Sequence, residues 1–264
     1  MKKILCLVIV FLMFTWGAAF AKQSIIETIE QKGVIRVGMS TFVPWAMKDK
    51  KGNLVGFEID VAKRLAKDMG VKVEFVPTAW SGIIPALLTG KFDIIIGGMG
   101  ITPARNLKVN FTIPYEYSGM SMVANKAKAK GLSSLKDFNK KDIIIAARMG
   151  TTAEQAVAKY MPRAKLKLFE NESQALQELN LGRVHAVVSS APMPIFHALK
   201  YPGKLFVPLK ENFTKEPIGF AIRKQDHDAL NFLNNWILNM RANGFLKEKN
   251  KYWFESKNWE KLVK

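Results

Sequence analysis

The sequence predicts an α/β protein with two similar lobes, each a mostly parallel sheet flanked by helices. Strand-like and helix-like periodicities alternate along the chain, which is typical of parallel sheets covered by helices. A helix end, a glycine, a basic residue and a strand follow one another twice, at 86–96 and at 178–188. Two extended segments, 115–126 and 216–224, lie where the chain would leave the first lobe and return to it. Two such crossings predict a two-strand hinge.

The first half of the chain shows these elements in order. A helix is predicted over 60–70, because Val61, Leu65 and Met69 recur at intervals of four residues on one face. We expect Asp60 to cap this helix and Gly70 to end it in the left-handed conformation. Strand patterns occupy 33–39, a short stretch after the Gly-Asn turn at 52–53, 71–77 and 92–96, and a second helix pattern covers 81–90.

The segment FDIIIGGMGITPARN at 92–106 joins a buried strand to a new helix. Its glycines allow the backbone to turn or to approach a ligand closely, and Thr102 and Pro103 are typical of a helix start. Arg105 would then lie in the first helical turn. Because ligands of open α/β sheets bind beyond the carboxyl ends of strands, Arg105 could bind a carboxylate or phosphate. The alternative is an ordinary surface arginine.

The last long helix pattern, DALNFLNNWILNMRANG, covers 228–244. Leu230, Leu233, Ile237 and Met240 form one apolar stripe, and Gly244 is the expected stop. We interpret these apolar residues as core.

Residues 1–21 have the organisation of an export signal. Lys2 and Lys3 precede an apolar run, and Ala19-Phe20-Ala21 matches a cleavage site. We expect cleavage after Ala21; an uncleaved anchor is the alternative. Cleavage would remove Cys6, the only cysteine of the chain, so no disulfide, thiol nucleophile or cysteine metal ligand is expected in the mature protein.

The basic composition does not by itself indicate a nucleic-acid-binding protein. The formal charge of the 264 residues is +18 and falls to +16 without Lys2 and Lys3. The lysines are dispersed among acidic and apolar residues, and no basic stripe alternates with stacking aromatic residues. We expect a solvated basic surface and no nucleic-acid partner. The histidines lie in unrelated segments, so neither a metal site nor another cofactor is expected.

Seven short motifs together resemble the amino-acid-type (family 3) periplasmic solute-binding proteins of ABC importers. In chain order they are IRVGM…VPW, GNLVGFEIDVAKRLA, WSGIIPALLTGKFDIII, MGITPAR, FTIPY, RMGTTAE and LGRVHAVV. The resemblance implies a periplasmic-binding-protein fold that closes over a small carboxylate or amino-acid-like ligand. It also implies a periplasmic monomer that delivers the ligand to ABC permease subunits in the membrane. Lobe 1 would comprise 22–118 and 219–264, and lobe 2 would comprise 119–218.

The resemblance also implies a set of ligand-binding residues. In the family, the arginine of the I-T-x-x-R motif binds the ligand α-carboxylate, and backbone N–H groups of the glycine turn and of a G-T-T turn assist it. Phe42 and Trp80 match aromatic positions that enclose the ligand, whereas Trp45 could equally be core. The carboxylate-binding positions in this sequence are Arg105, Gly100, Thr102, Thr151 and Thr152.

Two positions depart from the family pattern. The family holds the ligand ammonium with a Ser or Thr and with an Asp at a strand end, and these positions are Gly100 and Ser190 here. A buried ammonium without a carboxylate partner is costly, so we expect a carboxylate ligand whose nitrogen is absent, acylated or alkylated. If the ligand has a free ammonium, then Glu58, Ser190 or the Gly98 carbonyl must hold it. Glu58 could instead only support its loop.

The expected function is therefore ligand binding and not catalysis. The alternative is an enzyme similar to cyclohexadienyl dehydratases, which act on prephenate or arogenate and have a related fold. That reaction requires a general acid aimed at the leaving hydroxyl, and the strand-end position that would supply it is Ser190. Glu58 is the substitute that the sequence suggests. A sensor domain of a signalling protein is a third, less favoured class, because no output domain follows Lys264.

Overall fold

A computed structural model describes residues 23–263, which form two five-stranded sheets with helices against them. The export signal and its cleavage site lie outside the described residues. Within 23–263, none of the helices combines the length and the apolar composition that a membrane span requires.

The strands have two to six residues, and the α-helices have four to 16. The strands are β1 (Val34–Met39), β2 (Met47–Lys48), β3 (Leu54–Val55), β4 (Lys72–Pro77), β5 (Ile94–Ile95), β6 (Asn110–Phe111), β7 (Glu116–Ser118), β8 (Met120–Asn125), β9 (Ile144–Arg148), β10 (Lys165–Phe169), β11 (Ala186–Ser190), β12 (Leu205–Phe206), β13 (Glu216–Ile218) and β14 (Ala221–Ile222). The α-helices are α1 (Ile25–Lys32), α2 (Phe57–Asp68), α3 (Ile83–Leu88), α4 (Pro103–Asn106), α5 (Leu135–Phe138), α6 (Thr152–Tyr160), α7 (Glu172–Asn180), α8 (Met193–Lys200), α9 (His227–Ala242), α10 (Phe245–Asn250) and α11 (Glu260–Val263), with a 3-10 turn at Trp80–Gly82 and a π-helical turn at Lys251–Glu255.

Each lobe is built on one sheet. The first sheet has the strand order β4-β1-β5-β14-β6, and the second has the order β10-β9-β11-β8-β12. In both sheets the first three strands are parallel, and the strand that comes next is antiparallel to its neighbour. The two sheets therefore share one pattern, as the repeated helix-to-strand passage predicted. Gly90 and Gly182, the glycines of that passage, both have positive φ, at 76° and 68°.

Two antiparallel strands connect the lobes. β7 pairs with β13, with Tyr117 opposite Pro217, and these strands lie in the two extended segments that the sequence predicted as crossings. β7 leads directly into β8 of the second sheet, and β13 leads back to β14 of the first. The carboxyl ends of the parallel strands of both sheets consequently border one cleft.

The core of each lobe lies between its sheet and its helices. In the first lobe, Leu233, Ile237 and Met240 of α9 are buried against it, as the apolar stripe predicted, and Leu230 is partly buried. Gly244, with φ of 82°, follows the C-cap residue of α9. Trp45 is 1% exposed and contacts the rings of Phe57 and Phe254, so it is a core residue.

The start of α2 differs from the prediction. The helix begins at Phe57 with Gly56 as the N-cap, and Asp60 therefore lies inside the first turn. Gly56 is required there, because its φ is 136° and an added Cβ would lie 2.3 Å from the Trp45 carbonyl oxygen. The Asp60 carboxylate instead accepts a hydrogen bond from the Trp253 indole at 3.0 Å. A contact with a distant residue thus determines the role of Asp60.

Candidate functional site

A cavity between the two lobes brings together most of the residues that the sequence predicted. The first lobe contributes Phe42, Trp80, Gly98 and Arg105, and the second contributes Arg148, Thr151, Thr152, Ala153, Glu172, Ser189 and Ser190. Gly100, Thr102 and Glu58 do not line the cavity. Arg148, Glu172 and Ser189 are cavity residues that the sequence interpretation missed.

Arg105 lies at the start of α4, where the sequence placed it. The Thr102 hydroxyl caps this helix by accepting a hydrogen bond from the Arg105 backbone N–H at 3.3 Å, so Thr102 orients Arg105 and does not itself line the cavity. The Arg105 side chain is largely buried, with the residue 9% exposed. Burial lowers the pKa of its guanidinium, and the Glu216 carboxylate partly opposes that effect. A desolvated guanidinium is well suited to bind a carboxylate.

The Arg105 guanidinium connects the two lobes. Its Nη1 donates to the Gly100 carbonyl at 2.8 Å, and its Nη2 donates to the Gly150 carbonyl of the second lobe at 3.1 Å. Gly100 therefore acts through its backbone: its carbonyl orients the arginine. An added Cβ at Gly100 would lie 3.2 Å from the Glu216 carboxylate, so the missing side chain leaves room for Glu216.

The aromatic walls are Phe42 and Trp80. Gly98 has a φ of 69°, and an added Cβ would lie 2.9 Å from the Phe42 ring. A glycine is therefore needed both for the turn after β5 and for the position of Phe42. The Trp80 ring lies below two cations, at 5.9 Å from the Arg105 guanidinium and 5.6 Å from that of Arg148.

The G-T-T turn of the second lobe starts α6 at the edge of the cavity. Thr151 caps the helix by accepting from the Glu154 N–H at 3.4 Å, and its hydroxyl donates to the Arg148 carbonyl at 2.6 Å. The Thr152 hydroxyl donates to the Glu216 carboxylate at 2.8 Å. Glu216 belongs to hinge strand β13, so the turn is tied to the hinge.

Arg148 is the last residue of β9. Its Nε donates to the Glu170 carbonyl at 3.1 Å, and its Nη2 donates to the hydroxyl of Ser40 in the first lobe. Burial lowers the pKa of this guanidinium, and Glu172 and Glu170 oppose the effect. Arg148 is a basic residue that ends an apolar strand and is separated from the G-T-T motif by one residue, and this pattern was the signal for it in the sequence.

Glu172 begins α7, beyond the carboxyl end of β10. The residue is 9% exposed, and Oε1 is buried without a hydrogen-bond partner among the described residues. Burial raises the pKa of this carboxyl group, and Ser189 and Arg148 partly oppose the rise. The cavity therefore contains a carboxyl group, whereas the carboxyl group that the sequence had suggested for a ligand ammonium was that of Glu58. The position of Glu172 at a strand end was a signal for it.

Glu58 does not line the cavity, contrary to the prediction that it is a ligand-binding residue. It is 0% exposed, and its two carboxylate oxygens lie 2.8 and 2.7 Å from the Tyr115 hydroxyl. Burial raises its pKa to about 8, against the lowering effect of the hydrogen bond from Tyr115. Glu58 supports the loop that carries Gly98, which is the structural alternative that the sequence left open.

The cleft is closed in this structure. Besides the bonds from Arg105 and Arg148, the Ser81 hydroxyl of the first lobe donates to the Glu170 carboxylate of the second at 2.8 Å. Three hydrogen bonds thus join the lobes around the cavity. A small ligand held there would contact both lobes at once.

Comparisons with known proteins agree with this architecture. The chain is similar to the structure of the ancestral amino acid-binding protein AncCDT-1, a precursor of cyclohexadienyl dehydratase, with 45% identity, a TM-score of 0.81 and coverage of 88% of this chain and 100% of the other. It is similar to a lysine-bound ABC transporter binding component from Wolinella succinogenes, with 41% identity, a TM-score of 0.82 and coverage of 87% and 99%.

A curated relative points the same way. The chain is 25% identical over 237 residues to the L-cystine-binding protein TcyJ of Escherichia coli K12, covering 89% of this chain and 88% of that protein. The model of the bacterial extracellular solute-binding proteins, family 3, matches residues 35–256. With its two lobes, two hinge strands and cavity between them, the chain belongs to family 3 of the bacterial extracellular solute-binding proteins.

Proposed function

We propose that this protein captures an amino acid between its lobes and delivers it to the permease of an ABC importer. The observation that carries the proposal is the buried guanidinium of Arg105, which lines a cavity enclosed by both lobes. A ligand carboxylate that replaced the Gly150 carbonyl as a partner of Arg105 would gain a charge-assisted, two-pronged contact. The names of the similar proteins, which bind amino acids, support this ligand class.

The proposal includes the lobe boundaries and the localisation of the protein. Lobe 1 would comprise residues 22–118 and 219–264, lobe 2 residues 119–218, and the mature protein would be a periplasmic monomer. The basic start and the Ala19-Phe20-Ala21 signal support export. Mass spectrometry of the periplasmic protein should find a chain that starts at Lys22. A full-length chain retained in the membrane would contradict the proposal.

Thermal unfolding in the presence of a panel of ligands tests the binding function. A ligand at 100 times its Kd stabilises the folded protein by about 2.7 kcal/mol. The panel should contain the standard L-amino acids, their N-acetylated or N-methylated forms, and prephenate. We expect a standard amino acid to raise the Tm most. A response only to the N-modified compounds would favour the ligand class that Gly100 and Ser190 suggested.

A second candidate function is a dehydratase activity on prephenate or arogenate. It is favoured by Glu172, because a buried carboxyl group with a raised pKa in a ligand cavity can act as a general acid. Incubation with prephenate, followed by the absorbance of phenylpyruvate, tests it. Turnover that disappears in Glu172→Gln would establish an enzyme, whereas the absence of turnover by the folded wild type would exclude this reaction.

A further inference from the structure

Arg105 and Glu172 both line the cavity, Arg105 from the first lobe and Glu172 from the second. The Trp80 ring lies 5.9 Å from the Arg105 guanidinium and 5.6 Å from the guanidinium of Arg148. The charge of Arg148 acts in turn on the Glu172 carboxyl group. A ligand whose carboxylate binds Arg105 would extend past Trp80 and place a cationic group at Glu172.

Glu172 has an unused hydrogen-bonding capacity. Its Oε1 atom is buried and has no hydrogen-bond partner among residues 23–263. A buried acceptor without a donor is unfavourable, and a ligand that donates to this atom removes that cost. The cavity lining thus offers a free acceptor to a ligand.

Arg148 does not use this capacity, although its charge acts on Glu172. Its Nε and Nη2 donate to the Glu170 carbonyl and to Ser40, and its guanidinium lies 5.6 Å from the Trp80 ring. These contacts hold Arg148 in place while it still lowers the cost of an ionised Glu172. Arg148 therefore favours the ionised form of Glu172 without bonding to its Oε1 atom. A cationic group of the ligand could donate the missing hydrogen bond.

We propose that Glu172 binds an amine or guanidinium at the end of the ligand side chain, so that the protein selects amino acids with a cationic side chain. This inference rests on the proposed amino-acid-binding function. Trp80 and Phe42 would cover the aliphatic part of such a side chain, because both rings line the cavity with Arg105 and Glu172. The acidic partner then lies on α7 and not at Ser190.

Calorimetric titration with three ligands tests the proposal. L-Lysine has the terminal amine, L-norleucine has the same chain without the amine, and L-glutamine has a neutral donor. We expect wild type to bind lysine at least 100-fold more tightly than norleucine and more tightly than glutamine. Glu172→Gln should lose at least 30-fold in lysine affinity and keep its norleucine affinity within threefold.

Glu178→Gln is the matched control. Glu178 lies on the same helix, but its carboxylate pairs with Arg183 and Lys167 at the surface, so lysine affinity should not change. Lysine binding by Glu172→Gln within threefold of wild type would overturn the proposal, as would equal or tighter binding of norleucine or glutamine by wild type. If Glu172→Gln does not fold, the proposal is tested by the ratio of the lysine and norleucine affinities of the wild type.

The same titrations separate the two proposals. Binding of norleucine or glutamine in preference to lysine would keep the amino-acid-binding function and overturn the role of Glu172. If none of the standard amino acids binds wild type, both proposals fail together.

Discussion

At the scale of single residues, four charged side chains determine the electrostatics of the cleft. Arg105 and Arg148 lose much of their hydration, and the pKa of each guanidinium falls for that reason. The Glu216 carboxylate acts on Arg105, and Glu172 acts on Arg148. The site therefore contains compensating charges, which limits the cost of enclosing it without removing its affinity for a charged ligand.

Arg105→Ala should abolish ligand binding and leave the fold intact. Loss of a buried partner leaves the ligand carboxylate desolvated and unpaired, at a cost of about 3–5 kcal/mol, which corresponds to at least a 100-fold loss of affinity. Calorimetry with the ligand found in the panel measures the effect. Arg183→Ala is the control, because Arg183 pairs with Glu178 on the surface. An Arg105→Ala affinity within a few-fold of wild type would show that Arg105 does not bind the ligand.

Glu58 should make the free energy of unfolding depend on pH. Its pKa in the folded protein is raised to about 8 from an ordinary value of 4.5. Between these values the folded state retains a proton that the unfolded state has lost, so this contribution to stability decreases as the pH rises. Each pKa unit corresponds to about 1.4 kcal/mol.

Glu58→Gln should remove that contribution, because glutamine remains neutral and can still accept from Tyr115. Urea unfolding of both proteins at pH 5, 7 and 9 measures it. The stability of wild type relative to Glu58→Gln should fall between pH 5 and 8 and level off above. A constant difference across this range would mean that Glu58 titrates at its ordinary pKa.

At the scale of elements, the turns after the parallel strands place the cavity residues. β5 ends in a glycine turn that leads to α4 and Arg105, and β9 ends at Arg148 before the turn into α6. The short strands give each turn a defined direction, and the helix caps at Thr102 and Thr151 determine where the next element begins. The junctions between strands and helices therefore position the residues of the site.

Gly98→Ala should weaken ligand binding more than it weakens the fold. The positive φ costs about 1–2 kcal/mol for an L-residue, and the added Cβ would displace the Phe42 ring, which lies 2.9 Å away. Gly90→Ala is a matched control, since Gly90 has a similar φ of 76° and no atom within 4 Å of its added Cβ. Thermal unfolding should show the cost of the positive φ in both variants and an additional loss from the Phe42 contact in Gly98→Ala. Calorimetry should show lost affinity only for Gly98→Ala. Equal ligand affinities of Gly98→Ala and Gly90→Ala would show that the position of Phe42 does not affect ligand binding.

At the scale of the whole molecule, the hydrogen bonds across the cleft define the closed form. Two of them start from arginines inside the cavity, whereas the Ser81–Glu170 bond lies at its exposed edge. A bond at the edge stabilises closure without contacting the ligand. It should therefore act mainly on the rate at which the ligand leaves.

Ser81→Ala and Glu170→Ala should each weaken ligand binding by about 2- to 10-fold, since a single hydrogen bond contributes about 0.5–1.5 kcal/mol. The double variant should lose no more than either single one, because all three lack the same bond. Stopped-flow dissociation rates measure the effect. Additive losses in the double variant would show that the two side chains do not interact in the closed form.

Local sequence patterns correctly predicted the α/β class, the two crossings, the buried stripe of α9 and the position of Arg105 at a helix start. These features depend on local periodicity, glycine and capping chemistry, and the order of motifs. Seven of the ten site residues that the sequence predicted line the cavity, because strand ends in parallel sheets converge on one edge.

The roles of four residues follow from contacts that exist in the folded chain alone: Glu58, Asp60, Arg148 and Glu172. Glu58 was a candidate ligand-binding residue until Tyr115, 57 residues away in the chain, was found beside it. Glu172 lies on a polar stretch that resembles an ordinary helix start, and its importance comes from its burial in the cavity lining beside Arg148 and Ser189. The burial of a side chain and its partners depends on contacts between distant segments, and local sequence patterns do not contain that information.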